Sequence, residues 1–203
     1  NGKIYALEPQ PIMTEIMRAN LGIRQLKNVE VIEVALSDEN KTTNLQQLNY
    51  NLLGNFGALS LRSLSIDIEN RLENTNPWTK SIQFITLDLL VERLSLQDLH
   101  LLKMDIEGME LQALRGGKKT IDQFRPLIFL EFDRPDQFEK IKSLLQAWNY
   151  QFVLTKFPLY NPQNFKGNRF NIYANIETVN LLAYPKEHKN AKWFETLGNS
   201  NEK

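Results

Sequence analysis

One stretch, residues 101–117, constrains the fold of this 203-residue chain more than any other. An apolar run at residues 100–104 predicts a buried strand. Three carboxylates follow, Asp105, Glu107 and Glu110, and apolar residues then repeat at helical spacing until two glycines end the pattern. The acidic residues therefore fall where a strand gives way to a helix. In open α/β proteins, that carboxyl edge of the strands is where ligands bind.

Strands and helices alternate in this way over most of the chain. Buried apolar strands that alternate with helices favour an α/β fold with a mostly parallel sheet and helices on both faces. The predicted strands are residues 3–7, 29–35, 41–48 (paired back as a hairpin), 82–86, 100–104, 127–131, 150–154 and 170–176, and the predicted helices are residues 11–21, 87–94, 109–116, 138–148 and a short one around Trp193.

Two further acidic residues follow predicted strands. Glu8 ends the first strand, where a carboxylate can accept hydrogen bonds from both ribose hydroxyls of a nucleotide cofactor. NAD-binding and S-adenosylmethionine-binding sheets both use this arrangement, and a solvated strand end is the plain alternative. Asp38 follows the second strand, where it could accept a hydrogen bond from an adenine amine or belong to an ordinary turn. Either of Asp105 and Glu107 could equally cap the next helix, and Lys103 could pair with Asp105 on one strand face.

Several of these patterns together resemble the FkbM-type methyltransferase family. The sequence Lys-x-Asp-x-Glu-Gly-x-Glu at 103–110, followed by Leu-Arg-Gly at 114–116, is similar to the family signature. Glu-Pro at 8–9, Asn-x-Gly-Ala-x-Ser at 55–60 and Thr-Leu-Asp at 86–88 match further steps of its pattern. The resemblance implies a Rossmann-like class I methyltransferase fold and an S-adenosylmethionine-dependent enzyme that methylates a hydroxyl of a small molecule or sugar.

The resemblance also assigns roles to residues. It implies that Glu8 holds the cofactor ribose, with Asp38 beside the adenine and Asp105 also touching the cofactor. Asp105 and Glu107 become the candidate catalytic residues, because either could accept the proton of the acceptor hydroxyl or orient the methionine ammonium group. Carboxylates could equally hold a divalent cation, but the resemblance implies no metal and we assign none.

One part of the family pattern is missing. The glycine-rich Asp-x-Gly-x-Asn-x-Gly turn, which brings the backbone close to the methionine end of the cofactor, occurs nowhere in the chain. We therefore interpret residues 1–185 as an N-terminally incomplete methyltransferase domain whose first strand is missing, and residues 186–203 as a C-terminal helix and tail. A chain without that turn is expected to bind cofactor poorly.

Composition narrows the choice of partners. Lysine plus arginine and aspartate plus glutamate number 24 each, and cysteine is absent. This balance argues against nucleic acid and membrane partners, and no apolar run is long enough to span a bilayer. We expect a cytoplasmic protein and leave its oligomeric state open. Two alternatives to a methyltransferase remain, a nicotinamide-dependent oxidoreductase, although Gly-x-Gly-x-x-Gly and Tyr-x-x-x-Lys are both absent, and a non-catalytic module with a methyltransferase-like fold.

Overall fold

The computed structural model describes residues 2–48, 75–132 and 135–200. The chain divides into two compact units. The N-terminal unit comprises Asn1–Leu96 and Ile106–Thr120, and the C-terminal unit comprises Gln97–Asp105 and Ile121–Lys203.

The described residues of the N-terminal unit form a two-stranded sheet, a three-stranded sheet and three helices. Its elements in chain order are β1 (Ile4–Leu7), α1 (Pro11–Ile23), β2 (Val29–Ile32), β3 (Ala35–Leu36), β4 (Lys41–Leu48), β5 (Thr75–Ile85), α2 (Leu87–Arg93) and α3 (Glu110–Gly116).

β1 and β2 pair in parallel. Two side chains of α1 form hydrogen bonds with β2 and with the residue that follows it. Proline at the first position of α1 suits a helix start, because its missing N–H has no intrahelical partner there. Thr14 of α1 is fully buried, and its hydroxyl lies 2.7 Å from the carbonyl oxygen of Pro11 and 3.1 Å from Glu33 Oε2. Arg18 donates to the carbonyl oxygen of Val31 at 3.1 Å. These contacts fix the segment that follows Glu8 against the next strand.

The three-stranded sheet has the order β3-β5-β4, with β3 parallel and β4 antiparallel to β5. The predicted strand at residues 41–48 is confirmed as β4, but it pairs with β5, which begins at Thr75, and does not pair back onto the strand before it. At the start of α2, the hydroxyl of Thr86 accepts a hydrogen bond from the backbone N–H of Leu89 at 3.2 Å, as a helix cap does. One buried cluster joins this sheet to the segment before α3, and it consists of Ala35, Ile82, Phe84 and Met109 with Ile106 packed against it.

The C-terminal unit is built on a four-stranded sheet of order β6-β7-β9-β8, in which β6 and β7 are parallel and β9 runs antiparallel to both its neighbours. Its centre is fully buried at Ile128, Leu130 and Leu181. The elements are β6 (Leu101–Met104), α4 (Lys118–Phe124, which begins in the N-terminal unit), β7 (Leu127–Glu131), α5 (Pro135–Ala147), β8 (Tyr150–Pro158), β9 (Glu177–Pro185) and α6 (Ala191–Ser200).

Arg125 holds three parts of the C-terminal unit together. Its guanidinium donates to the backbone carbonyls of Trp148 and Asn149, at 2.9 and 3.2 Å, just after α5. It also forms two hydrogen bonds with Glu187, which follows β9. These bonds raise the pKa of Arg125 and lower the pKa of Glu187. The planar fork of arginine suits this combination of a carboxylate with adjacent carbonyls.

Two further predictions about the sheet are wrong. Residues 170–176 form turns instead of the last strand, which begins at Glu177. The reason is that Asn168 and Asn171 accept hydrogen bonds from backbone N–H groups two residues on, and such bonds favour turns over strand pairing. The described strands form three parallel and three antiparallel pairs, so pairing is mixed and not mostly parallel. The placement of helices on both faces stays a prediction.

One expectation concerns residues outside this description. The segment at 55–60 that matches the family pattern lies outside the described residues. Among the described helices, none is long and apolar enough to cross a membrane.

Candidate functional site

Glu8 lies just beyond the carboxyl end of β1 and is half-buried. Its backbone N–H donates to the carbonyl oxygen of Ile32 at 3.1 Å, which continues the parallel ladder to β2. The backbone N–H of Gln10 donates to Glu8 Oε1 at 2.7 Å, and the side chain of Gln10 bonds to the same carboxyl. Burial raises the pKa of Glu8, and the bonds from Gln10 partly offset that rise. A carboxylate offers about four lone-pair positions, so the group keeps capacity for two hydroxyl donors.

Asp38 lies just after β3 and is exposed. Its Oδ1 is 3.3 Å from the hydroxyl of the buried Ser37. The end of α3 packs against this point, because a Cβ added at Gly116 would lie 2.0 Å from the carbonyl oxygen of Ser37. The loop that carries Asp38 is therefore fixed by a close approach of two backbones that only glycine permits.

The segment before α3 is a tight turn with an uncommon backbone. Glu107 has a φ of +54° and Gly108 a φ of +94°, and the N–H of Met109 donates to the carbonyl oxygen of Ile106 at 3.3 Å. Positive φ at both central positions is the pattern of a type I′ turn, and it strains a residue that is not glycine. Glu110, which is 4% exposed, bonds to the N–H groups of Ile106 and Gly108 at 3.1 and 3.3 Å. Glu110 therefore stabilises the turn that presents the half-buried Glu107.

Asp105 lies in the C-terminal unit, immediately after β6, and its side chain is 48% exposed. Lys103 donates to Asp105 Oδ2 at 3.1 Å, which confirms that this pair can form on one strand face. A carboxylate oxygen of Glu131, at the end of the neighbouring strand β7, lies within 4.8 Å of one of Asp105. The two carboxylates form an acidic pair at this edge of the sheet. The absence of a metal site, expected from the sequence, stays a prediction.

Three of the four sequence-predicted site residues thus follow strands, and Glu107 lies within a turn. Glu8, Asp38 and Glu107 lie in the N-terminal unit and Asp105 in the C-terminal unit, and their roles stay predictions. Two supporting contacts were not foreseen, the bonds of Gln10 to Glu8 and the bracing of the turn by Glu110. The glycine after Glu107 signals a turn, but no sequence signal identifies the side chain that satisfies its N–H groups.

This arrangement belongs to the class of α/β proteins with a methyltransferase-like fold. The solved structure of a methyltransferase FkbM from Methylobacillus flagellatus KT superposes with a TM-score of 0.54 at 16% identity, covering 90% of this chain and 36% of that one. A family model described as the methyltransferase FkbM domain matches residues 1–152. The chain belongs to the FkbM methyltransferase domain family, as its sequence pattern predicted.

Two more similarities accompany this family match. The 2-O-methyltransferase NoeI of Sinorhizobium fredii (strain NBRC 101917 / NGR234) is 25% identical over 164 residues, which are 77% of this chain. The chain spans 65% of the length of that relative. A precorrin-6y C5,15-methyltransferase from Geobacter metallireducens GS-15 superposes with a TM-score of 0.49 at 14% identity, covering 92% of this chain and 69% of that one.

Proposed function

We propose that this chain functions as an S-adenosylmethionine-dependent methyltransferase that acts on a hydroxyl of a small molecule or carbohydrate. The observation that carries the proposal is the FkbM family match over residues 1–152, which includes Glu8 and both candidate catalytic carboxylates. Oxygen as the acceptor atom is supported by the similarity to NoeI, which is a 2-O-methyltransferase.

The residues around β1 fit the ribose of such a cofactor. Glu8 lies where a parallel strand ends, and Gln10 orients its carboxylate. Two hydroxyl donors on neighbouring carbons match the two oxygens of one carboxylate. Asp38, exposed after β3, is our candidate for the adenine amine. The residues present do not include the glycine-rich turn that the family places at the methionine end.

Proton removal falls to the carboxylates that follow β6. When bound, the cofactor supplies a methyl group on a cationic sulfur. We assign Asp105 or Glu107 to receive the proton from the acceptor hydroxyl. A carboxylate oxygen of Asp105 lies within 4.8 Å of one of Glu131, at the edge of the sheet where both strands end. Glu107 is held in a strained turn, as catalytic side chains often are.

The test is a calorimetric titration of S-adenosylhomocysteine into the 203-residue chain and into Glu8→Ala. We expect the unchanged chain to bind weakly, because it lacks the glycine-rich turn. The Glu8→Ala affinity should be lower still by about tenfold or more, because two hydrogen bonds to a charged group are lost. The matched control is Glu15→Ala, because Glu15 is an exposed glutamate on α1. This variant should leave the affinity unchanged.

Three results would contradict the proposal. Equal binding by Glu8→Ala would remove Glu8 from the cofactor site. Failure of the folded, unchanged chain to bind S-adenosylhomocysteine, with a fluorescence change on adding NADH, would favour a nicotinamide-dependent oxidoreductase. Binding of neither cofactor would favour a non-catalytic module.

A further inference from the structure

The connection between β8 and β9, residues 159–176, exposes large apolar side chains to an unusual degree; we name it the β8–β9 loop. Phe165 is fully exposed, Phe170 is 80% exposed and Ile172 is 79% exposed. Leu159 and Ile176, at the two ends of the loop, are also about half exposed. Single exposed apolar residues are ordinary, but several within one short segment indicate an interaction surface.

This exposure belongs to a loop with a defined hydrogen-bond pattern. The Asn164 amide donates to the carbonyl oxygen of Asn168 at 2.7 Å, and Asn164 Oδ1 accepts from the backbone N–H of Asn168 at 3.0 Å. Asn168 Oδ1 accepts from the N–H of Phe170 at 3.0 Å, and Asn171 Oδ1 accepts from the N–H of Tyr173 at 2.9 Å. The asparagines are therefore engaged with the loop backbone, while phenylalanine and isoleucine face outward.

The loop is also locally cationic, although the whole chain is neutral. Lys166 and Arg169 are exposed, and residues 158–176 contain no aspartate or glutamate. Neither cation forms an ion pair with any residue that the structure describes. The outward surface of the loop is thus apolar and positively charged.

The loop extends from the same edge of the C-terminal sheet as the acidic pair. Because β9 is antiparallel to both β7 and β8, the carboxyl ends of β7 and β8 lie at one edge. The N–H of Leu159 donates to the carbonyl oxygen of Ile176 at 3.0 Å and closes the base of the loop. A surface that binds this loop would therefore face the edge that carries Asp105 and Glu131.

We propose that the β8–β9 loop docks the protein onto an anionic lipid surface. Apolar side chains that enter the headgroup region, together with cations that meet anionic lipids, are the combination that interfacial binding requires. A carbohydrate surface fits less well, because four of the five loop asparagines already bond to the loop backbone, Asn161, Asn164, Asn168 and Asn171. Nucleic acid would need more than two cations. The proposal is independent of the methyltransferase activity, and it revises the sequence-based expectation of no membrane partner, which considered only spans and overall charge.

The test is co-sedimentation of the 203-residue chain with vesicles. One set contains phosphatidylcholine alone and the other about one part in four phosphatidylglycerol. We expect binding to the anionic vesicles and much weaker binding to the neutral ones. Lys166→Gln combined with Arg169→Gln should lower the affinity for anionic vesicles by about fivefold per cation. Phe165→Ser combined with Phe170→Ser should lower binding to about background.

Matched controls change similar residues outside the loop. Arg24→Gln combined with Lys27→Gln removes two exposed cations near the end of α1, and Ile23→Ser removes a side chain that is 81% exposed. Both controls should bind vesicles as the unchanged chain does, with unchanged circular dichroism. Absence of vesicle binding, or equal losses in loop and control variants, would overturn the proposal. A dimer that only the loop variants abolish, without lipid binding, would also overturn it and would assign the surface to self-association.

Discussion

Burial disfavours the charged form of Glu8, which is the form that the proposed function needs. Burial raises the pKa of this carboxyl, so the folded chain binds a proton there more readily than the unfolded chain does. Stability from this group is therefore greatest at acidic pH and declines as pH rises through the raised pKa. A ligand that donates to the carboxylate would offset this effect, which is typical of a binding residue.

We therefore expect Glu8→Gln to raise the melting temperature at about pH 7 and to change it little at about pH 4, where the native carboxyl is largely protonated. Glutamine keeps the oxygen that accepts from Gln10 but has no charge to desolvate. Thermal unfolding at both values of pH, with Glu15→Gln as the exposed control, measures the effect. A lower melting temperature at pH 7 would mean that Glu8 stabilises the fold as an anion.

The two glutamates at the turn of residues 106–109 differ in role: Glu110 stabilises the turn, and Glu107 is a candidate catalytic residue. Glu110 is nearly inaccessible and bonds to two backbone N–H groups, whereas Glu107 is half-buried on a left-handed backbone. The sequence pattern placed both acids at the strand–helix boundary correctly. It could not separate their roles, because the difference depends on which side chain reaches the N–H groups of the turn.

Among the elements, the contact of α3 with the loop after β3 is sensitive to a single methyl group. Gly116→Ala would place a Cβ 2.0 Å from the carbonyl oxygen of Ser37, a backbone atom that cannot rotate away. We expect this variant to be destabilised by about 3 kcal/mol or to fail to fold. Urea unfolding followed by circular dichroism gives the change in the free energy of unfolding.

The matched control is Gly22→Ala within α1, where a Cβ would meet no atom within 4 Å. There alanine should stabilise the chain by about 0.5–1 kcal/mol, because glycine lowers helix propensity. Similar effects of the two substitutions would show that α3 does not approach Ser37 as closely as the structure indicates.

How well each element could be predicted depended on whether local sequence decides its structure. The sequence located α2 within one residue, at the Thr-Leu-Asp pattern of residues 86–88, and the structure shows that Thr86 caps its start. It also identified β7 as a buried strand with the correct bounds. It missed α4 beyond the glycine pair, where the N–H groups of Lys119 and Thr120 are satisfied by the distant Asp88. A cap that lies more than thirty residues away leaves no local signal.

Across the whole molecule, the sequence predicted the family and an α/β architecture, because both depend on patterns that extend along the chain. The balance of parallel and antiparallel strands was not predictable in the same way. The direction in which two strands pair depends on the edge of the sheet at which the connection between them ends. The β8–β9 loop resembled a strand in the sequence because it contains Phe, Ile and Tyr residues. Its asparagines form hydrogen bonds with the loop backbone, and these bonds favour turns over a strand.

Equal numbers of acidic and basic residues also determine how the molecule behaves in solution. With a formal net charge of zero at pH 7, mutual repulsion is weakest there, so we expect the solubility minimum near neutral pH. Arg24→Glu combined with Lys27→Glu should move this minimum to lower pH, because each replacement changes the charge by two. Phe165→Ser combined with Phe170→Ser should instead raise the solubility at the minimum without moving it, since it removes apolar surface and leaves the charge unchanged. Ammonium sulfate solubility measured across pH separates the two effects, and a minimum shifted by the phenylalanine variant would contradict this assignment.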